Sequence, residues 1–148
     1  MTTESEEPIL APTVDWVAEH VHRYVATDGE DGGTWRRGTS ILLLTTRGRK
    51  SGALRRMPLI YGRDGDDYVV AASKGGAPVN PGWFLNLLAD PEVSVQIMDD
   101  VFPATARVAT PEQRERIWPH MVAIWPDYEE YQRKTTREIP LVLLTPSG

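Results

Sequence analysis

Five bases, Arg47, Arg49, Lys50, Arg55 and Arg56, fall within ten positions of the stretch TTRGRKSGALRR (45–56). The span around them is more lopsided still. From Gly32 to Arg63 the chain carries eight of its sixteen Lys and Arg residues and no acid, although its formal net charge is −5. A local positive field on a negative body selects a small anionic ligand. Broad attraction to nucleic acid or to an anionic lipid surface would need bases in excess overall. Arg49, Lys50 and Ser51 lie between two glycines on a tight connection, where backbone N–H groups and cationic side chains can converge on a phosphate or carboxylate. GRKS is not a P-loop, because Arg49 stands where that motif needs Gly and the loop leads into a strand. No G-x-G-x-x-G follows a strand, so a Rossmann site is not supported. Spacing alone fits both an anion loop and a solvated hairpin tip.

Three other groups could contribute to chemistry. The two glycines of SKGG (73–76) let backbone approach a flat ligand closely. Trp83 and Asn86, three apart on a short helix, share a face that could bracket an aromatic ring and its polar edge, although spacing alone favours Trp83, Leu87 and Leu88 as ordinary core. Trp125, Tyr128 and Tyr131 recur every three residues as an aromatic stripe, again readable as core or as pocket. His20 and His22 diverge on a helix and His120 is isolated, so no metal site is expected. With no cysteine, no Ser-His-Asp set and no paired carboxylates, reactivity has to arrive with a cofactor.

The elements that must position these residues follow from periodicity. Val14, Val17, Ala18, Val21, Tyr24 and Val25 recur at helical spacing over 12–27. ILLLTT (41–46) and LRRMPLIY (54–61) read as a hairpin around the Gly48–Gly52 loop, with Arg55 and Arg56 on opposite faces. GRDGDD (62–67) reads as a turn, DYVVAAS (67–73) as a strand, and SKGGAPVNP (73–81) as a loop. A short helix follows over 81–90, with Pro81 at its start. Two strands, 92–97 and 102–109, precede a helix announced by Thr110, Pro111 and Gln113, a capping-box spacing. That helix should kink near Pro119 and stop before Pro126. A further helical turn or two over 127–135 and a buried strand over 139–145 complete the chain. The elements do not alternate as βαβ, so a mainly β, mostly antiparallel barrel with flanking helices is expected, in a single domain. The acidic start MTTESEEPIL is no signal peptide, and no segment approaches a membrane span; a cytoplasmic location is expected.

Taken together, GTSILLLTTRGRKSG (38–52), Pro58-Leu59, VVAASKGGAPVNPGWFLNLLADPEVSVQI (69–97) and DYEEYQRKTTREIPLVLLTP (127–146) resemble the deazaflavin-dependent nitroreductase and quinone reductase family, which uses reduced coenzyme F420. The resemblance implies an FMN-binding-like split β-barrel over residues 12–148, after a flexible 1–11. It implies that Arg49, Lys50 and Ser51 contact the coenzyme's phosphate. Arg55, Arg56, Met57, Pro58, Leu59, Ile60 and Tyr61 would contact its tail and ring. Ala71, Ala72, Ser73, Lys74 and Gly75 would lie along the ring, and Gly82, Trp83, Phe84, Leu85 and Asn86 would pack against it. Ile60, Ser73, Trp125, Tyr128 and Tyr131 would wall the acceptor pocket, with Ser73, Tyr128 and Tyr131 as candidate catalytic groups. Trp125 and Ile60 stand where nitroimidazole-activating members carry tyrosines, which makes this pocket more apolar. The implied function is hydride transfer from the reduced deazaflavin to a quinone, nitroaromatic or unsaturated lactone. The alternatives are a non-catalytic carrier of deazaflavin or of a lipid-like ligand, and an FMN-binding barrel. The implied partner is a small-molecule acceptor, with peripheral membrane contact and either a monomer or a homodimer compatible with the sequence.

Overall fold

The computed structural model describes residues 7–147. In chain order it forms β1 (Ile9–Leu10), α1 (Asp15–Ala26), β2 (Thr34–Trp35), β3 (Thr39–Arg47), β4 (Leu54–Ile60), β5 (Gly62–Asp64) and β6 (Asp67–Ala71). Then come α2 (Gly82–Ala89), β7 (Glu92–Ile97), β8 (Asp100–Val108), α3 (Pro111–Ile124), α4 (Asp127–Arg133) and β9 (Leu141–Pro146). The strands hydrogen-bond in the order β1-β4-β3-β7-β8-β9-β6-β5, with β2 on β3. β1 is parallel to β4; the other pairs are antiparallel.

The expected barrel does not close through hydrogen bonds. β4 lies near one end of the ladder and β5 at the other, yet Tyr61 alone separates them in the chain. The two ends therefore meet covalently, and the sheet curls around its inner face. Pro58, in the middle of β4, offers no N–H, which suits a strand with an open edge. GRDGDD is also more than a turn: Gly62–Asp64 pairs with Asp67–Val69, leaving only Gly65 and Asp66 at the tip.

The curl explains why β3, β6 and β9 read as continuous apolar runs and not as alternating ones. Leu42, Leu44, Val70, Val142 and Leu144 point inward with Val93, Val95 and the α2 residues Trp83, Phe84 and Leu87. On the outer side, Val69, Leu141 and Leu143 pack under α3 and α4, while Ile41 and Leu43 pack under Val21 and Tyr24 of α1. Both faces of these strands are buried, so neither face needed polar residues.

Local chemistry sets the helix ends. The Thr110 Oγ1 accepts from Gln113 N at 3.2 Å and the Gln113 side chain accepts from Thr110 N at 2.9 Å, completing the capping box of α3. Pro119 stays inside one uninterrupted helix. It faces solvent, where water can satisfy the carbonyl it leaves without a donor. α1 buries a narrower ridge than its periodicity suggests, His20, Val21 and Tyr24, while Val14 and Val25 are exposed. Of the segment 1–11 expected to be flexible, residues 1–6 lie outside the described residues; Ile9 and Leu10 pair with Leu54 and Arg55.

Tyr24 fastens α1 to the sheet. Its fully buried hydroxyl donates to the Ile41 carbonyl at 3.0 Å, lies 3.3 Å from the Gln96 carbonyl, and accepts from Met98 N at 2.8 Å. Tyr24→Phe keeps the ring and orphans these groups, so the unfolding free energy should fall by about 1–3 kcal/mol with an unchanged urea m-value. An unaltered urea midpoint would show that the hydroxyl does not fasten the helix.

Candidate functional site

Two adjoining cavities, of about 500 and 390 Å³, share Val17, Met57, Lys74, Pro81 and Trp83 as common wall. Together they form a trough along β4, closed on one side by α1 and on the other by the loop before α2.

The larger cavity is basic. Arg49, Lys50, Arg55, Arg56 and Lys74 line it, and among the described residues no Asp or Glu does. Arg55 and Arg56 were expected on opposite faces of the strand, yet both border the cavity, Arg55 exposed and Arg56 half-buried. Burial holds the Arg56 guanidinium below its ordinary pKa, and among the described residues no carboxylate lies within salt-bridge distance of it. A half-buried cation without a counter-charge is costly unless a ligand supplies one. Arg47, by contrast, points out of the cavity and pairs with Glu7.

The 48–51 loop is held by neutral groups. Asn86, buried on α2, accepts from Arg49 N at 3.2 Å and from Arg49 Nη1 at 3.1 Å, and its amide nitrogen donates to Thr46 Oγ1 at 3.2 Å. Asn86 therefore orients the loop as well as lining the cavity. Ser51 Oγ accepts from Ala53 N and closes the turn. Pro81 precedes α2 with no side-chain cap, so the first N–H groups of that helix, at Gly82 and Trp83 on the cavity wall, add positive potential.

The smaller cavity is aromatic, with Trp16, Trp35, Trp83, Trp125, Tyr128 and Tyr131 among its lining residues beside Ile41, Leu59 and Ile60. Trp16 stacks on Trp35 with centroids 6.4 Å apart, and Trp35 on Trp125 at 5.4 Å. Trp125 Nε1 donates to Tyr131 Oη at 3.3 Å. An indole can only donate, so the Tyr131 oxygen is the acceptor and its own proton remains free for a ligand. Burial pushes the Tyr128 phenol above its ordinary pKa, with Tyr131 adding to the shift, so it stays protonated at neutral pH. The stripe is core and pocket at once: Trp125 and Tyr128 are buried among Ile139 and Leu141 yet border the cavity.

The trough brings together most of the residues singled out from sequence. Arg49, Lys50, Ser51, Arg55, Arg56, Gly82 and Asn86 border the basic cavity. Pro58, Leu59, Ile60, Ala71, Ser73, Gly75, Trp125, Tyr128 and Tyr131 border the aromatic one, and Met57, Lys74 and Trp83 border both. Tyr61, Ala72, Phe84 and Leu85 border neither: Ala72 and Phe84 are buried in the inner core, Leu85 packs against it, and Tyr61 joins β4 to β5 and packs edge-on against Tyr68. Sequence reasoning missed His20, Trp16 and Trp35. The buried His20 borders the aromatic cavity and donates from Nε2 to the Gly32 carbonyl at 2.8 Å. Its place within the α1 stripe, between Val17 and Tyr24, was the only available signal.

A family model described as F420H(2)-dependent quinone reductase matches residues 16–146. An F420H(2)-dependent quinone reductase of Mycobacterium tuberculosis is 38% identical over 125 residues, covering 82% of this chain and 84% of that protein. Among solved structures, one described as a domain-swapped dimer is 42% identical with a TM-score of 0.68, covering 90% of this chain and 99% of its own. Another, described as an F420-H2 dependent reductase, is 46% identical with a TM-score of 0.65, covering 70% and 92%. A Listeria innocua structure titled as a pyridoxamine 5'-phosphate oxidase shares the fold alone, at 13% identity and a TM-score of 0.53, covering 86% of this chain and 94% of its own.

The state of Arg56 is open to test with inorganic tripolyphosphate as a minimal polyanion. Arg56→Met should leave stability unchanged or raised, because it removes an uncompensated cation, while weakening tripolyphosphate binding by about tenfold or more in low-salt calorimetry. A variant that loses stability yet binds tripolyphosphate normally would make Arg56 a structural residue.

Proposed function

This chain belongs to the F420H(2)-dependent quinone reductase family, and we propose that its trough binds reduced F420 by the acidic tail and presents the ring to a quinone seated against the aromatic wall. The observation that carries this reading is the division of one trough into a basic half, lined by no acid among the described residues, and an aromatic half. The residues fit the coenzyme: its phosphate and oligoglutamyl tail need several cations, and its flat ring needs an apolar slot. Arg49, Lys50, Arg55 and Arg56 take the anionic groups, since charge-assisted contacts are the strong way to hold phosphate and carboxylate. Lys74 and Trp83, on the wall the two halves share, and Ala71, Ser73 and Gly75 on the aromatic side hold the ring.

When bound, the reduced coenzyme supplies a hydride. The chain's task is then placement, exclusion of water and delivery of a proton. A quinone becomes a hydroquinone by taking one hydride and one proton, and Tyr131 is the proposed proton donor, since Trp125 occupies the acceptor side of its oxygen. Ser73 and Tyr128 complete that wall. Nitroaromatics and unsaturated lactones present a similar flat conjugated face and form the wider acceptor class. The curled sheet is read as a split barrel, supported by its likeness to the pyridoxamine 5'-phosphate oxidase structure, and a homodimer is supported by the likeness to a domain-swapped dimer.

Mixing purified protein with reduced F420 and following its absorbance under anaerobic conditions tests the proposal. Menadione should trigger oxidation of the coenzyme. Absence of tight binding would remove the cofactor assignment, and binding without oxidation would remove the acceptor assignment. The double variant Arg49→Ala, Lys50→Ala should raise the coenzyme Kd about a hundredfold, two charge-assisted contacts being lost. Tyr131→Phe should leave that Kd unchanged and lower menadione turnover by about 10²-fold, the usual contribution of a positioned acid. Equal loss of binding and turnover in Tyr131→Phe would assign the stripe to the core instead.

A further inference from the structure

The loop that follows β6 carries Ser73 and Lys74 to the junction of the two cavities, and its backbone is held in an unusual shape. Lys74 has φ 46°, and Gly75 and Gly76 follow at φ 63° and 84°. A left-handed lysine is rare and persists only where surrounding contacts over-determine it. One face of the loop is pressed on α4: a Cβ at Gly76 would lie 2.6 Å from the Tyr131 carbonyl oxygen and 2.9 Å from its Cα. From the other direction comes a single side chain, Arg137, beyond the end of α4. Its Nε donates to the Ala77 carbonyl at 2.9 Å, Nη1 to the Ala72 carbonyl at 3.1 Å and to Asn80 Oδ1 at 2.9 Å, and Nη2 to the Ser73 carbonyl at 2.8 Å. Among the described residues Arg137 has no carboxylate within salt-bridge distance. Every side-chain hydrogen bond it makes among the described residues goes to this loop.

We infer that Arg137 is a positioning residue: its guanidinium fork fixes the 72–80 loop so that Ser73 and Lys74 face the trough in register with Tyr131. Four acceptors in three directions match the planar, fixed spread of guanidinium donors, which a lysine ammonium cannot reproduce. The same loop and α4 then form one rigid unit, with Lys74 bordering both cavities and Tyr131 the aromatic one. A loosened loop would misplace groups on both sides of the transferred hydride, although Arg137 borders neither cavity. The inference rests on the function proposed above for its effect on turnover. Its structural part stands on the hydrogen bonds alone.

The test compares Arg137→Ala and Arg137→Lys with the wild-type chain by hydrogen exchange, thermal melting and steady-state turnover of reduced F420 with menadione. Amides of 73–80 should exchange about tenfold faster or more in both variants, while those of β7 and β8 stay protected. Turnover (kcat) should fall by about tenfold or more, as expected when reacting groups are misplaced, with a smaller change in the menadione KM. Millimolar methylguanidine should restore turnover to Arg137→Ala, whereas methylammonium should not. Arg137→Lys keeps the charge and covers the case in which the alanine variant fails to fold. Wild-type turnover in either variant, or loss of protection spread evenly over the sheet, would overturn the inference. If the wild-type chain itself failed to oxidise the coenzyme, the proposed function would fall, and the exchange pattern would still decide whether Arg137 holds the loop.

Discussion

Uncompensated positive charge is the constraint around which this protein is arranged. Among the described residues seven arginines pair with carboxylates, Arg23, Arg37, Arg47, Arg107, Arg114, Arg116 and Arg133, and none of them borders the trough. Those that do border it have no such partner among the described residues. A carboxylate would hold each in place and also neutralise the field a polyanion needs. The fold therefore orients Arg49 through the neutral amide of Asn86, which is itself held by Thr46. Orientation comes without cancellation, because an amide oxygen accepts a hydrogen bond while contributing no net charge.

That arrangement depends on the curled sheet. β4 contributes Arg55 and Arg56 at one end and Leu59 and Ile60 at the other, so one strand supplies both the basic and the apolar lining. Beyond Arg55, where β1 pairs with it, one edge of this strand is open. β3 occupies the other edge over the whole length of β4, and Pro58 discourages a long partner on the open one. The missing closure of the barrel and the trough thus share one strand, β4. The apolar runs of β3, β6 and β9 supply the rigidity: packed on both faces, they hold the curl without help from the open edge.

Much of this was legible in the sequence, and what was not has a common cause. The β3–β4 hairpin, the capping box at Thr110 and the acid-free span are local patterns, and local patterns survive translation into structure. Apart from Arg55 and Arg56, which strand alternation did not keep from sharing one cavity, the failures are long-range. Ile9 and Leu10 form a strand only because β4 offers an edge to them. Gly62–Asp64 looked like a turn because two residues of turn chemistry, Gly65 and Asp66, sit beside a strand too short to show alternation. Trp16 and Trp35 gave no periodic signal, since their stacking joins α1 to β2 across nineteen positions. Arg137 was not singled out in the sequence; its meaning lies in four acceptors some sixty residues away.

The aromatic half shows why core and pocket need not be alternatives. Trp125 and Tyr128 are nearly fully buried, in contact with Ile139 and Leu141, and one face of each still borders the cavity. Changes at these two positions therefore alter stability and the shape of the cavity together, since a cavity left in a packed core costs several kcal/mol, about 3–5 for a large aromatic. Tyr131 is different. It is only half-buried, and its hydroxyl is engaged on one side alone, by the Trp125 indole. The wall thus consists of an inflexible backing and one adjustable polar group in front of it. The surrounding packing accordingly has least to lose at position 131 and at the exposed Trp16.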